Sequence, residues 1–173
     1  MLIPTETKKA LSKFARLVVK ESKRNLKDSG KSTSGKLEKS IGFDLNVSDN
    51  SFGLSFEMEK YGEFQDKGVN GFLVKRNNSP FSYRDARPPL KALDKWIVKK
   101  GIAPRDKDGK FISRRSLQFL ISRKIFFEGI KPSLFFTKPF EKHFKQLPDT
   151  VMEAFALDME NFLKATLKDN DTN

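Results

Sequence analysis

The sequence contains no cysteine and a single histidine, His143, among its 173 residues. Disulfide bonds, thiol chemistry and metal sites that need several Cys or His ligands are therefore excluded. The absence of cysteine fits a reducing compartment. Serine-type hydrolysis would have to use His143. This residue lies in the charged run Glu141-Lys142-His143-Phe144-Lys145, so we expect an ordinary surface histidine.

Phosphate-binding loops are absent as well, since the chain has neither a GxxxxGK[ST] nor a GxGxxG motif. Asp106-x-Asp108-Gly109 matches a calcium loop only in part. The glycine directly follows the second aspartate and no glutamate closes a twelve-residue loop, so we expect a polar turn. No catalytic residue, cofactor or metal is expected, and the protein is predicted not to be an enzyme. Composition leaves a small enzyme with a carboxylate-only magnesium site open, but no clustered acidic motif supports one.

Long apolar runs are also missing. No segment approaches the roughly 20 apolar residues that a membrane-spanning helix needs. The start Met1-Leu2-Ile3-Pro4 lacks the apolar region of a signal peptide. We expect a protein that has no membrane partner and is made and assembled in a cytoplasm.

Basic residues and phenylalanine are in surplus. The chain has 34 Lys and Arg against 22 Asp and Glu, a net charge of +12, and 17 Phe against 2 Tyr and 1 Trp. Such a charge suits nucleic acid or an acidic protein surface. The basic residues are scattered, however, and most Phe residues occupy apolar-face positions, which favours core or interface packing over base stacking. A nucleic-acid-binding module stays open as an alternative function, because basic and aromatic residues are mixed around Lys75-Arg76 and residues 84–87.

A helix is predicted from Thr5 or Thr7 to Lys27. Its apolar residues recur at helical spacing; they are Leu11, Phe14, Ala15, Val18 and Leu26. Two strands are then predicted at about 37–47 and 52–58, because apolar and polar residues alternate there. The alternating apolar residues are Ile41, Phe43, Leu45 and Val47, followed by Phe52, Leu54, Phe56 and Met58. Ser48-Asp49-Asn50-Ser51 supplies turn chemistry, so the pair is predicted to be a hairpin.

Residues 69–131 are predicted to be a loop and helical region. Segments 72–74 and 81–83 are candidates for short edge strands. One helix should begin at Pro88 or Pro89 and end before Gly101, with apolar residues Leu90, Leu93, Trp96 and Ile97. A second should be capped by Ser113 or Ser116 and end at Gly129, with apolar residues Leu117, Leu120, Ile121 and Ile125.

The C-terminal segment is predicted to be helical from about Pro139 to Leu167, after a short strand at 133–136. Its apolar residues recur at helical spacing; they are Phe140, Phe144, Leu147, Val151, Phe155, Phe162 and Leu163. Pro148 predicts either a kink or two helices with Asp149 in the first turn of the second. The expected fold class is α+β, with a small antiparallel sheet built on the central hairpin, helices on one face and a long C-terminal helix.

Three short motifs in this order resemble the tail-completion and head–tail connector family of tailed bacteriophages. Thr33-Ser34-Gly35-Lys36-Leu37-Glu38-Lys39-Ser40-Ile41 matches a "tGxLrxSI" entry to the hairpin. The aromatic-Gly-x-Phe-x-x-x-Gly element that follows the hairpin contains Tyr61, Gly62, Phe64 and Gly68. Phe135-Phe136-Thr137-Lys138-Pro139-Phe140 matches a "P-F" element that opens a C-terminal helix. Residues 69–131 exceed the minimal pattern and count as an insertion in one domain of residues 1–173.

The resemblance implies a structural virion protein of the phage neck, assembled in the host cytoplasm. Its partners would be identical subunits in a ring of six or twelve, and other neck, portal-side or tail proteins, with genomic DNA nearby. In that family the Tyr61–Gly68 element is architectural. Alternatively, Gly62 and Gly68 simply supply positive φ, while Tyr61 and Phe64 are core residues of a helical turn.

Adjacent phenylalanines supply the remaining interface candidates. Phe126 and Phe127 cannot both lie at the centre of one helical stripe. Phe135 and Phe136 would point to opposite sides of a strand. One ring of each pair is expected in the core and the other against a partner, with a two-sided internal core as the competing explanation.

Overall fold

The computed structural model describes residues 4–30, 34–48, 51–76 and 79–170. In those ranges the protein has the predicted α+β fold, with seven helices and two separate two-stranded antiparallel sheets. The helices are α1 Thr5–Asp28, α2 Lys36–Ser40, α3 Tyr61–Lys67, α4 Leu90–Lys99, α5 Arg114–Glu128, α6 Thr137–Phe144 and α7 Leu147–Asn170. The strands are β1 Gly42–Ser48, β2 Ser51–Glu57, β3 Val69–Asn70 and β4 Gly129–Ile130.

The chain divides into two compact units. The first unit comprises residues 1–27, 38–59 and 135–173, and the second comprises 28–37 and 60–134. The first unit contains 14 basic residues (Lys and Arg) and 14 acidic residues (Asp and Glu), so its net charge is zero. The second unit contains 20 basic and 8 acidic residues, so it carries the whole net charge of +12. The predicted insertion 69–131 lies within this basic second unit.

The core of the first unit is built on α1 and the β1–β2 hairpin. The predicted α1 stripe is confirmed, because all five of its apolar residues are buried. In the hairpin Phe43 pairs with Phe56 and Leu45 with Leu54, which places these four half-buried side chains on one face. The Phe56 ring packs edge-on at 6.1 Å from Phe14 of α1 and at 5.9 Å from Phe140 of α6.

The predicted start of the first strand was wrong. Residues Lys36–Ser40 form the short helix α2, and β1 begins at Gly42. Leu37 and Ile41, four positions apart, are both buried, which is the spacing of one helical turn. The period-two alternation therefore begins at Phe43. The central turn residues Asp49 and Asn50 lie outside the described residues.

The C-terminal segment consists of two helices, as one of the two alternatives predicted. Helix α6 ends at Phe144 and α7 begins at Leu147, with Pro148 and Asp149 in its first turn. A first-turn proline lacks an N–H that would have no partner within the helix anyway. The strand predicted at 133–136 was wrong: residues 133–134 are loop and 135–136 are turn. Leu134 has a φ of 52°, which does not belong to an extended strand.

The buried Asp158 of α7 holds the N-terminus of α1. One carboxylate oxygen accepts the Glu6 backbone N–H at 2.8 Å. The other accepts the Thr7 backbone N–H at 2.9 Å and the Thr7 hydroxyl at 2.8 Å. Burial alone would raise the pKa of Asp158, but the hydrogen bonds from Thr7 and Glu6 outweigh it and hold the pKa below its usual value. The carboxylate supplies acceptors to N–H groups that a helix N-terminus otherwise leaves unpaired.

In the second unit the predicted helix ends are confirmed. Ser113 rather than Ser116 caps α5, accepting the Ser116 N–H at 3.1 Å. Gly101 follows α4 with a φ of 61°, and Gly129 ends α5. Edge strands at 72–74 and 81–83 were wrong. Strand β3 at Val69–Asn70 pairs with β4 instead, and Ser82 contributes an isolated bridge to Asn70.

Candidate functional site

The Tyr61–Gly68 motif forms helix α3 and the turn that leaves it. The predicted helical turn is confirmed, but Tyr61 and Phe64 are not core residues, since they are 40% and 41% exposed. Gly62 is a buried helical residue and does not have positive φ. Gly68 does, with a φ of 74°. Of the two glycines, only Gly68 supplies the left-handed backbone that changes the direction of the chain after α3.

Gly68 fits because the backbone of the segment after β4 passes directly beside it. A Cβ atom at this position would lie 2.5 Å from the Ile130 carbonyl oxygen and 2.8 Å from the Pro132 nitrogen. The same segment closes the C-terminal end of α3. The Ser133 hydroxyl donates to the Gln65 carbonyl at 2.6 Å, and the Leu134 N–H donates to the Asp66 carbonyl at 3.0 Å. Helix α3 is therefore fixed to the end of the insertion.

Asn70 of β3 organises the described part of the loop that follows. Its side-chain oxygen accepts the Arg76 N–H at 2.6 Å, and its amide donates to the Ser79 carbonyl at 2.9 Å. Its backbone N–H donates to the Phe81 carbonyl at 2.8 Å, and its carbonyl accepts the Tyr83 N–H at 2.9 Å. These bonds hold Phe81 and Tyr83 close to α3. Residues 77 and 78 lie outside the described ranges.

An open cleft of about 1040 Å³ lies within the second unit, bordered by α3, the segment 80–84, α4, α5 and β4. Five aromatic side chains line it, and Phe64 packs edge-on against Phe81 at 4.5 Å. The aromatic cleft is lined by Tyr61, Phe64, Gln65, Val69, Pro80, Phe81, Ser82, Tyr83, Arg84, Trp96, Ile121, Ile125, Gly129 and Ile130. Two members of the predicted motif, Tyr61 and Phe64, therefore belong to this cleft.

The aromatic cleft suits apolar ligands rather than acid–base chemistry. Burial raises the pKa of the Tyr83 hydroxyl above its usual value, which keeps that group neutral. The described lining residues include no Asp, Glu or His, and Arg84 supplies the charge. A large apolar cavity with a few polar groups is a common form of binding site.

The other side of α5 carries alternating arginine and phenylalanine. Arg115, Phe119, Arg123 and Phe127 follow each other at four-residue intervals, so they lie along one side of the helix. The Arg87 guanidinium lies 4.9 Å from the centre of the Phe119 ring, and that of Arg123 lies 5.7 Å from the Phe127 ring. We call these four α5 residues the Arg–Phe row. Ile121 and Ile125, which line the aromatic cleft, lie on the other side of the helix.

Helix α7 of the first unit carries two apolar faces. Its inner face consists of Leu147, Val151, Ala154, Asp158 and Phe162, which are buried or half-buried. Its outer stripe consists of Met152, Phe155, Met159, Leu163 and Leu167, which are 37–72% exposed. At 100° per residue the two faces are about 120° apart around the helix axis. The inner face packs within the chain, while the outer stripe lies at the surface.

The remaining interface candidates lie mostly inside the chain. Phe135 is 1% exposed and Pro139 is buried, so both are packing residues. Phe136 and Phe140 are half-buried and stack at 5.9 Å. Phe127 and its neighbour Phe126 are also half-buried, and both pack against Phe72. An outward-facing ring in each pair stays a prediction about the assembled state.

His143 is not the surface residue that was expected. Its side chain is 16% exposed, and its Nε2 atom lies 3.1 Å from Glu21 Oε1. Lys142 also contacts Glu21, at 2.9 Å. The hydrogen bond from Lys142, together with His143, lowers the pKa of the Glu21 carboxyl despite partial burial. This cluster joins α6 to α1 and has no nucleophile in the contacts that define it.

The part of the chain that the structure describes contains neither a metal-binding cluster nor a membrane-spanning helix. Among those residues, no group of three or more His, Cys, Asp or Glu side chains could hold a metal ion. Within the same ranges, no helix combines the length and apolar content needed to cross a membrane.

Comparison with known proteins found no matching family model, no matching curated protein and no matching solved structure.

Sequence patterns missed the aromatic cleft and the two-faced character of α7. Trp96 was assigned to the apolar face of α4, but it is 39% exposed and lines the cleft. Phe81 and Tyr83 were predicted to lie in a short edge strand, and no sequence pattern linked them to α3. A signal for α7 was present, because its apolar residues occupy too many positions for a single stripe.

Proposed function

We propose that this protein is a structural component of a tailed-phage virion, forming a ring in the neck that joins the portal-bearing head to the tail. The observation that carries the proposal is the order of the three motifs together with the outer stripe of α7. The motifs lead into the β1–β2 hairpin, form α3 and open α6. In the segment that follows the third motif, the outer stripe of α7 then presents five large apolar side chains at the surface.

A ring explains why such side chains are exposed. Identical subunits that close around an axis bury one patch of each copy against a different patch of the next. Exposed apolar stripes rimmed by charge are typical of such contacts.

The test is to purify particles and locate the chain in them by mass spectrometry and cryo-electron microscopy. We expect six or twelve copies at the head–tail junction, assembled from subunits made in the host cytoplasm. A chain absent from particles, or present as an isolated copy, contradicts the proposal.

A second candidate function is nucleic-acid binding, which the charge distribution favours. The second unit holds the entire surplus of +12, and its Arg–Phe row combines cations with aromatic rings. Basic side chains neutralise phosphates, while aromatic rings stack on unpaired bases. In a neck, this surface would face genomic DNA.

This candidate is tested by the salt dependence of DNA binding. Replacing Arg115 and Arg123 with Gln should weaken binding. The slope of log affinity against log salt should fall by about 1 for each phosphate that the variant no longer neutralises. The matched control replaces Lys13 and Lys20, exposed residues of α1, with Gln. Equal effects of both pairs would indicate only a nonspecific charge effect.

A further inference from the structure

The outer stripe of α7 lies at the surface although its side chains are apolar. Phe155, Met159 and Leu163 follow each other at four-residue intervals, about 6 Å apart along the helix. An apolar stripe on a surface helix ordinarily faces a core. The inner face of α7 already contacts the first unit, so the outer stripe is a second docking face.

The second unit offers a cavity of matching character. The aromatic cleft is apolar, and its Tyr61, Phe64 and Trp96 side chains are about two-fifths exposed at its border. At about 1040 Å³ it lies at the upper end of the range for ligand pockets and has room for several side chains. Helices bind such grooves through a few apolar anchors spaced one turn apart.

The charges of α7 and of the second unit indicate which surface α7 would bind. From Leu147 to Leu167, the exposed charged side chains of α7 are Asp149, Glu153 and Glu160 against a single Lys164. The second unit carries +12 and places Arg84 in the cleft. Two α7 helices packed against each other would bring like charges together, whereas α7 against a second unit brings opposite charges together.

We propose that the outer stripe of α7 in one copy docks in the aromatic cleft of a neighbouring copy. This inference rests on the proposed ring function and names the two faces that meet. The contact joins different surfaces of identical chains, so an open assembly keeps one free helix at one end and one free cleft at the other until the ring closes. The methionines suit such a docking helix, because their flexible side chains adapt to irregular grooves.

Site-directed crosslinking tests the contact cleanly, because the chain contains no native cysteine. We place one cysteine in each of two variants, Met159→Cys in the outer stripe and Tyr61→Cys at the border of the cleft. Mixing them with a short thiol crosslinker should give a covalent dimer that neither variant gives alone. The control is Lys13→Cys, on exposed α1, which should not crosslink to Tyr61→Cys.

Complementation provides a second readout. One variant, Met159→Glu with Leu163→Glu, places charges in the outer stripe of α7. The other, Tyr61→Glu with Phe64→Glu, places charges at the border of the aromatic cleft. The four side chains are 37–55% exposed, so both variants should keep the wild-type circular dichroism spectrum and stay monomeric alone. Mixed together, they should form a one-to-one dimer and nothing larger, because each brings one intact face.

Three results would overturn the inference. The first is a covalent dimer formed by the Met159→Cys variant alone. The second is the absence of a crosslink between Met159→Cys and Tyr61→Cys when both variants still oligomerise. The third is a wild-type chain that stays monomeric up to millimolar concentration. These failures differ from failure of the neck proposal, which depends on whether the chain is present in particles. A chain found at the neck without the mixed crosslink would keep the function and discard this contact.

Discussion

Asp158 receives both the backbone N–H and the hydroxyl of Thr7, at 2.9 and 2.8 Å, across 151 positions of sequence. The contact joins the last long helix to the first turn of the first helix. Through it the C-terminal segment, which carries the proposed docking stripe, is fixed to the core of the first unit. The position of that stripe thus depends on a polar contact between α7 and α1.

Replacing Asp158 with Ala should lower the free energy of unfolding by about 1–3 kcal/mol. The change removes the acceptor at a helix N-terminus and leaves the buried Thr7 hydroxyl unpaired. Chemical denaturation with an unchanged m-value is the measurement. The control is Glu153→Gln, an exposed position of the same helix, which should change stability by less than about 0.5 kcal/mol. Equal effects would show that Asp158 contributes no capping.

Acid should remove the stabilisation that Asp158 provides. Its pKa is lower in the folded protein than in the unfolded chain, where an aspartate titrates near 3.9. The contribution is therefore complete above about pH 5 and is lost as the pH falls through the folded-state pKa. Stability curves of the wild type and of Asp158→Asn should converge toward low pH. Parallel curves down to pH 2 would contradict this assignment.

Gly68→Ala should be more destabilising than Gly109→Ala. Both residues have φ values near 75°, so each substitution carries the strain of a left-handed backbone, roughly 1 kcal/mol. Only at Gly68 would the new Cβ meet backbone atoms, whereas the space around Gly109 is open. Thermal unfolding of the two variants separates strain from collision. Equal losses would mean that the segment beside Gly68 moves away freely.

Phe56→Ala should lower the free energy of unfolding by about 3 kcal/mol. The Phe56 ring contacts Phe14, Phe136 and Phe140, so its removal opens the centre of the first unit. Phe52→Ala, on the same strand but more exposed, is the control and should cost much less. Unchanged stability in both Phe56→Ala and Phe43→Ala would argue against the packed face of the hairpin.

Local patterns predicted the elements whose stabilising groups are near in sequence. Helix α1 was predictable because its five buried residues recur within the helix itself. The ends of α4 and α5 were predictable because Gly101, Ser113 and Gly129 act on adjacent turns. Helix α2 was missed because five residues offer too little periodicity to distinguish it from a strand.

The candidate site was less predictable because its parts come from distant segments. The aromatic cleft needs α3, Tyr83, α4 and β4 together, and Asn70 holds the described part of the connecting loop by hydrogen bonds that no periodic pattern encodes. The capping of Thr7 by Asp158 is equally non-local. The order of the motifs indicated that Tyr61 and Phe64 are candidate interface residues, but it did not indicate that they border a cavity.

The division of the chain into two units has a consequence for synthesis on the ribosome. All residues of the second unit have been made once residue 134 emerges, whereas the first unit also needs everything from residue 135 onward. Since compact units generally fold as they are completed, the second unit can fold before the first. Helix α1, although made before the hairpin, must wait with part of its apolar stripe uncovered until Phe140 and Asp158 arrive. A nascent chain stalled before residue 135 would therefore present that stripe to chaperones.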